Sequence, residues 1–122
     1  MKVIICGSRT ICKYDLIKEA VEKSGFEITE IVSGGARGVD FIGEVYAFQE
    51  KIPLKRFPAD WNKHGKSAGF LRNKEMAEYV KPDGGVIALW DGVSAGTKHM
   101  LKIAKEMNLK IKLFIIKGDK HV

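Results

Sequence analysis

The chain has 122 residues, the size of one ordinary domain, and 45% of them are apolar, a composition typical of globular proteins and not of disordered ones. The initial run Met1–Cys6 is too short for a signal peptide, and no stretch approaches the roughly 20 apolar residues of a membrane span, so we expect a cytoplasmic protein with no membrane partner. The net charge of +6 favours anionic partners but does not separate nucleic acid from a small phosphate ligand. Cys6 and Cys12 have no partners at metal-binding spacing, so we expect reduced thiols and no metal site.

Five short apolar runs alternate with stretches of helical periodicity, which is the pattern of βαβ units. The strands that these runs predict are Lys2–Cys6, Thr29–Val32, Pro53–Phe57, Gly85–Leu89 and Lys110–Ile115. The sequence therefore predicts an α/β fold, a Rossmann-like three-layer sandwich with a mostly parallel five-stranded sheet. We expect a single domain over residues 1–117 and a loose tail at residues 118–122.

The first predicted helix is scaffold, and the second has a predicted inward face that packs on the sheet. The first begins near Asp15, which we expect as its N-cap, and ends at Gly25. The second spans residues 38–51, and its predicted inward face consists of Val39, Ile42, Gly43 and Tyr46. Gly43 allows this helix to approach the sheet closely.

The next two predicted helices carry polar residues on their inward faces. The third, over residues 67–80, continues its apolar stripe of Met76, Ala77 and Val80 with Arg72 and Asn73 nearer its start. The fourth places Thr97 on the stripe of Met100, Leu101, Ala104 and Met107. Because helix starts in right-handed βαβ units lie at the carboxyl edge of the sheet, we expect these polar residues to face one ligand-binding crevice.

The strongest local signal is Ser33–Asp40, which reads Ser-Gly-Gly-Ala-Arg-Gly-Val-Asp between a predicted strand and a predicted helix. Its glycines, Gly34, Gly35 and Gly38, permit a tight turn and a close backbone approach, and amides at a helix start attract anions. Arg37 could bind a phosphate in bidentate fashion, and Asp40 could cap the helix or accept a ribose hydroxyl. The alternative is an ordinary turn with a solvated arginine, but the combined pattern favours a phosphate site.

Two other loops at the same edge could complete the site. Gly96 and Thr97 follow a predicted strand and open a helix, which makes them a second candidate for anion binding, although a plain loop with Ser94 as N-cap fits equally well. The facing wall of the crevice is expected to come from the loop after the first strand, with residues Gly7, Ser8 and Arg9.

The segment of residues 58–66 is a candidate lid. Trp61 could stack there on a nucleobase, with His64 or Lys66 near a phosphate. The alternative is that Trp61 seals the core while the charged residues are solvated.

Taken together, these segments resemble the YspA-like branch of the SLOG superfamily over nearly the whole chain. The resemblance rests on five motifs in order: Ser33–Asp40, Pro58–Trp61, Gly65–Gly69, Arg72–Met76 and Gly96–Thr97. It implies a Rossmann-like sheet and a site for nucleotides or nucleotide-derived signalling molecules. It also implies that the protein is related to the LOG phosphoribohydrolases and to the DprA-like DNA-processing proteins. The LOG enzymes carry a Gly-Thr-x-x-Glu motif, whose glutamate position is Met100 in this chain.

Three functions therefore remain open. We expect a ligand-binding protein or sensor that holds a small nucleotide-derived ligand without a cofactor, with the phosphate between the Gly34–Gly38 turn and the Gly96–Thr97 helix start. Arg72 and Arg37 are its expected charge partners. One alternative is a nucleotide N-glycosidase with a relocated carboxylate, for which Asp40 and Glu44 are weak candidates and the catalytic residues are otherwise unknown. The other alternative is single-stranded DNA binding, which is not favoured; a homodimer is possible.

Overall fold

Each predicted strand forms in the computed structural model, which describes residues 1–117, and no strand bound is shifted by more than one residue. The strands are β1 (Lys2–Gly7), β2 (Glu30–Ser33), β3 (Leu54–Arg56), β4 (Gly85–Trp90) and β5 (Lys110–Ile115). The helices are α1 (Tyr14–Ser24), α2 (Val39–Gln49), α3 (Trp61–His64), α4 (Ala68–Val80) and α5 (Ala95–Glu106). A 3₁₀ turn, Gly65–Ser67, joins α3 to α4. The predicted tail, residues 118–122, lies outside the described residues.

The five strands form one sheet in the order β3-β2-β1-β4-β5, and every neighbouring pair is parallel. The central strands are continuous apolar runs because both of their faces are covered by helices. All three residues of β3 are exposed, as suits its place at the edge of the sheet. The strand order reverses between β1 and β4, which creates a topological switch point there.

Alternate residues of the strands point to opposite faces of the sheet and pack in two separate cores. On one face, Ile5 and Ile87 pack with the apolar sides of α1 and α2. On the other face, Ile4 and Val86 pack with α4 and α5. The predicted Rossmann-like three-layer sandwich is therefore confirmed.

Gly43 lies at the closest approach between α2 and the sheet. A Cβ atom at this position would lie 2.9 Å from Cγ2 of Ile5, so glycine permits the contact. The position of Gly43 therefore matches the close helix–sheet packing that the sequence predicts.

One local prediction differs from the structure, and one segment contains a helix that the sequence does not predict. Asp15 is not the N-cap of α1; Lys13 occupies that position and Asp15 lies in the first turn, where its charge still complements the helix dipole. The expected lid contains a short helix, α3, whose start is capped by Asp60 Oδ1 accepting the Lys63 N–H at 3.1 Å. Among residues 1–117, no helix has the length and apolar character needed to cross a membrane.

Candidate functional site

A crevice opens at the carboxyl edge of the sheet beside the switch point. It consists of two adjoining cavities, and both are lined by Arg9, Ala36 and Arg72. The inner cavity, of about 270 Å³, is also lined by Cys6, Gly7, Asp40, Asn73, Met76, Ser94, Ala95, Gly96, Thr97 and Met100. The outer cavity, of about 530 Å³, is also lined by Gly34, Gly35, Arg37, Pro58, Ala59 and Trp61.

The floor of the inner cavity is apolar. Cys6, at the end of β1, belongs to the same buried cluster as Met76 of α4 and Met100 of α5. Burial of the Cys6 thiol, more than the nearby Asp40 carboxylate, raises its pKa well above the usual range. Cys6 therefore stays protonated and packs as a small apolar side chain.

Arg72 stands between the two cavities and is held there from two sides. Its Nη1 donates to the carbonyl oxygen of Gly34 in the β2–α2 turn, and its Nε donates to Asn73 Oδ1 at 3.0 Å. Burial lowers the pKa of Arg72, while the Asp40 carboxylate opposes that shift. A guanidinium remains charged under such conditions, so the crevice contains a fixed, partly buried cation.

The start of α5 is open to the inner cavity. Its N-cap, Ser94, makes no side-chain capping bond; its hydroxyl lies 3.2 Å from Thr97 Oγ1. A Cβ atom at Gly96 would meet no atom of the described chain within 4 Å. The positive end of the α5 dipole and the Arg72 guanidinium therefore face the same small cavity, an arrangement that attracts an anion.

The glycine-rich turn contributes less than the sequence suggests, because several of its amides bond within the protein. Gly35 N–H donates to Ser33 Oγ at 3.0 Å, and Ala36 N–H donates to Asp40 Oδ2 at 3.2 Å. Val39 N–H, in the first turn of α2, donates to the carbonyl oxygen of Ser8 at 3.3 Å. The turn therefore contributes to the site mainly by forming part of the wall of the outer cavity and by providing the Gly34 carbonyl oxygen that binds Arg72.

Two of the predicted ligand-binding residues, Ser8 and Gly38, lie outside both cavities and contact neighbouring loops of the protein. Ser8 is buried and lines neither cavity of the described chain; its Oγ accepts the Asp91 N–H at 3.0 Å and ties the β1 loop to the β4 loop. Gly38 is buried against the backbone of Arg9 and likewise lines neither cavity. Both residues hold the loops that form the crevice.

Asp40 lies in the inner cavity with only 6% of its surface exposed. Burial raises its pKa from 3.8 to about 6, against the opposing effects of the Ala36 N–H bond and the Arg72 charge. Asp40 therefore changes its charge close to neutral pH, next to the fixed cation.

Glu44, one turn further along α2, faces away from the crevice. Its Oε2 accepts the Ser33 hydroxyl at 2.7 Å and the Arg56 Nε–H at 3.0 Å. Since these two donors on β2 and β3 hold the carboxylate outside both cavities, Glu44 is not positioned for chemistry in the crevice.

The outer cavity combines a cation with an aromatic ring. Arg37 is exposed at its rim, and Trp61 at the start of α3 is 52% exposed. Trp61 therefore does not seal the core, and its ring is available to a ligand.

Sequence reasoning missed His99, whose Nδ1 lies 3.2 Å from Asn73 Nδ2. His99 faces α4 and lies off the sheet-facing stripe of α5, so a search of that stripe passes over it. Among the described residues, no group of three His, Cys, Asp or Glu side chains could hold a metal ion.

Comparison with known proteins gives two matches. A family model described as "YspA, cpYpsA-related SLOG family" matches residues 1–64, from β1 through α3, which include the glycine-rich turn and Trp61. The Gene 61 protein of Mycobacterium phage D29 is 34% identical over an alignment 129 positions long, which covers 98% of each chain. The name of the phage protein describes no activity.

Proposed function

The chain belongs to the YspA, cpYpsA-related SLOG family, and we propose that it binds a nucleotide or nucleotide-derived ligand in the crevice. Membership of this family suggests binding or processing of a nucleotide-related ligand. The finer assignment is that a phosphate of the ligand occupies the inner cavity, between Arg72 and the start of α5.

The observation that carries this proposal is the placement of Arg72. A partly buried guanidinium, fixed by Gly34 and Asn73, faces a helix start that has no side-chain cap. Arg9 adds a second positive charge to the lining of both cavities, whereas Asp40 is the acidic residue there and has a raised pKa. The crevice therefore attracts negative charge.

The outer cavity supports the nucleoside part of the proposal. Its volume of about 530 Å³ lies within the range of about 300–1,000 Å³ that small-molecule sites occupy. Trp61 offers an exposed ring on which a base can stack, and Arg37 lies at the rim for a further phosphate.

A thermal-shift panel of AMP, ADP-ribose, cyclic nucleotides and NAD tests the proposal. A ligand that binds only the folded state stabilises it by about 2.7 kcal/mol at a hundredfold excess over Kd, so at least one compound is expected to raise the Tm by several degrees. Arg72→Ala is expected to lose this ligand-induced rise, measured from its own unliganded Tm.

Lys74→Ala is the matched control, because Lys74 is an exposed cation on the same helix and lines neither cavity. It is expected to respond as the wild type does. If no compound raises the Tm, or if Arg72→Ala responds fully, the proposed site is wrong.

The second candidate function is hydrolysis of the N-glycosidic bond of a nucleoside monophosphate. The observation that favours it is the burial of the Asp40 carboxyl in the inner cavity. A buried carboxyl with a pKa of about 6 can exchange a proton near neutral pH, as a general acid or base must. Met100 lines the cavity floor but cannot stabilise positive charge on a ribose or activate water.

We expect the purified protein to release neither free base nor ribose 5-phosphate from AMP, dAMP or cytokinin-type monophosphates. Chromatography of the reaction mixture checks this expectation. The protein is instead a hydrolase if it releases free base or ribose 5-phosphate well above the buffer rate, and if Asp40→Asn abolishes this release while Glu44→Gln retains it.

A further inference from the structure

Asn73 is the centre of a hydrogen-bond chain that joins α5 to Arg72. It is buried, with 6% of its surface exposed, and its side-chain amide makes hydrogen-bond contacts with three groups. Its Oδ1 accepts the Arg72 Nε–H at 3.0 Å, and its Nδ2 lies 3.3 Å from the carbonyl oxygen of Gly96 and 3.2 Å from His99 Nδ1.

The partners of Asn73 fix the direction of every bond in this chain. The Nε of Arg72 can only donate, and the Gly96 carbonyl can only accept, so the Asn73 amide has one satisfactory orientation. Its Nδ2 then donates to both Gly96 and His99. Nδ1 of His99 must therefore be an acceptor, which places the imidazole proton on Nε2 and leaves the ring neutral.

We propose that His99 is a positioning residue, which through Asn73 holds Arg72 at the inner cavity while its ring is neutral and releases it on protonation. The effect of His99 on the position of Arg72 is argued from the hydrogen bonds alone. Its consequence for ligand affinity rests on the proposed function.

Protonation of His99 leaves the Asn73 amide without a complete set of partners. A proton on Nδ1 would oppose the Nδ2–H of Asn73, donor against donor. Rotating the amide by half a turn would restore that contact, but it would set Nδ2 against the Arg72 Nε–H and Oδ1 against the Gly96 carbonyl. Because Asn73 is buried, each lost bond leaves a polar group unpaired, and the chain shifts away from Arg72.

The surroundings of His99 favour the neutral ring at neutral pH. Burial, followed by the charge of Lys102, lowers its pKa below the usual value of 6.5, and Glu106 opposes that shift. From α4 the ring meets Asn73 and Phe70, whose ring stacks on it with centroids 4.2 Å apart, and Arg72 lies beyond Asn73. The sheet-facing side of α5 presents the non-titrating residues Thr97, Met100, Ile103 and Ala104.

Two substitutions distinguish three properties of His99: its hydrogen-bond acceptor, its titrating ring and its stacking on Phe70. His99→Asn supplies an acceptor near the position of Nδ1 but carries no titrating ring. His99→Phe keeps an aromatic ring against Phe70 but has no acceptor. For the nuclear magnetic resonance measurement, Asp40→Asn is added to all three chains, because the Asp40 carboxyl, with a pKa of about 6, would otherwise add its own pH step to the signal of the nearby Arg72.

Nuclear magnetic resonance of the unliganded protein tests the hold on Arg72. With histidine at position 99, the Arg72 Nε–H signal is expected to show a pH step with the same midpoint as the His99 ring, whose pKa lies below its usual value of 6.5. In His99→Asn that step is expected to be absent, and in His99→Phe the signal is expected to be displaced at every pH. Persistence of the step in His99→Asn, or a wild-type signal position in His99→Phe, would overturn the proposal.

Binding of AMP at about pH 7.5 tests the consequence for the ligand. We expect His99→Asn to bind within about twofold of the wild type and His99→Phe about tenfold more weakly, a difference of about 1.4 kcal/mol. If the Arg72 step is present but AMP does not bind to the wild type, the hydrogen-bond chain stands and the proposed function fails for AMP. If AMP binds equally to all three chains, the role of His99 in the site is refuted.

Discussion

Asp40 and Glu44 are one helical turn apart on α2, but their carboxylates have different environments. Asp40 is buried in the inner cavity beside the Arg72 charge, whereas Glu44 is held outside the crevice by Ser33 and Arg56. The sequence shows only that both side chains lie on one helix face. Their separation depends on donors from β2 and β3, whose positions are set by the sheet.

The raised pKa of Asp40 predicts a specific pH dependence of stability. The folded state retains the Asp40 proton up to about pH 6, whereas the unfolded chain releases it near pH 3.8. The contribution of Asp40 is therefore most favourable below about pH 4 and is lost as the pH rises through about 6. A shift of about two units corresponds to about 3 kcal/mol.

Urea unfolding of the wild type and Asp40→Asn between pH 4 and 7 measures this contribution. Asparagine keeps an acceptor for the Ala36 N–H but has no charge to bury. Relative to Asp40→Asn, the wild type is expected to lose about 3 kcal/mol of unfolding free energy across this range. Parallel pH profiles for the two proteins would contradict the burial of an ionising carboxyl.

The β2–α2 turn depends on a glycine at position 38 for two separate reasons. Gly38 has a φ of 78°, which side-chain-bearing residues rarely adopt, and a Cβ atom there would lie 2.5 Å from the backbone of Arg9. Gly25, after α1, has a similar φ of 72°, but a Cβ atom there would meet no described atom within 4 Å. The ψ angles differ, however: Gly25 has a ψ of 7°, which is left-handed helical backbone, whereas Gly38 has a ψ of −132°, a conformation that is nearly restricted to glycine.

We expect Gly25→Ala to cost about 1–2 kcal/mol, which is the usual penalty of a left-handed backbone. Gly38→Ala is expected to cost about 2 kcal/mol more, because its backbone conformation is nearly restricted to glycine and because the Arg9 backbone cannot move aside as a side-chain tip can. Chemical denaturation of both variants gives the comparison. Equal losses would mean that the β1 loop and the start of α2 are not in close contact.

Hydrophobic periodicity is sufficient to predict the five strands and the four long helices of this fold. The alternation of apolar runs with helical stretches predicted the five strands and the three-layer sandwich, and both are confirmed. Short elements were missed, because α3 has only four residues and its residues are exposed, so it produces no periodic signal. The predicted lid is accordingly a segment with local helical structure.

Contacts between helices were less accessible to sequence reasoning. The periodic pattern singles out Arg72 and Asn73, because they continue an apolar stripe toward the sheet edge. The pairing of Asn73 with His99, and of His99 with Phe70, depends on the relative rotation of α4 and α5. A periodic pattern describes which face a helix turns to the sheet but does not fix which side chains meet on a neighbouring helix.

At the scale of the whole molecule, the net charge of +6 raises the question of nucleic-acid binding. Within the described chain, Trp61 is the one aromatic residue that lines either cavity. Proteins that bind single strands without sequence preference use several aromatic rings along a basic groove. The crevice therefore suits a small ligand better than a strand.

We expect a single-stranded oligonucleotide to bind weakly at physiological salt, with fluorescence anisotropy as the measurement. Any attraction at low salt is expected to disappear as salt is added, because it arises from scattered charges. Tight binding at about 0.15 M salt that is weakened by Arg37→Ala or Lys66→Ala would favour the DNA-processing analogy over our proposal.

The anchoring of Arg72 at both Gly34 and Asn73 also has a thermodynamic consequence. A free arginine side chain gives up considerable rotamer entropy when it binds an anion, about 2 kcal/mol for the whole side chain. Here the folding of β2, α2 and α4 has already immobilised the guanidinium, so that loss does not recur when a phosphate arrives. Calorimetry of ligand binding should consequently show a smaller entropic penalty for the wild type than for Asn73→Ala, which removes one of the two anchors of Arg72.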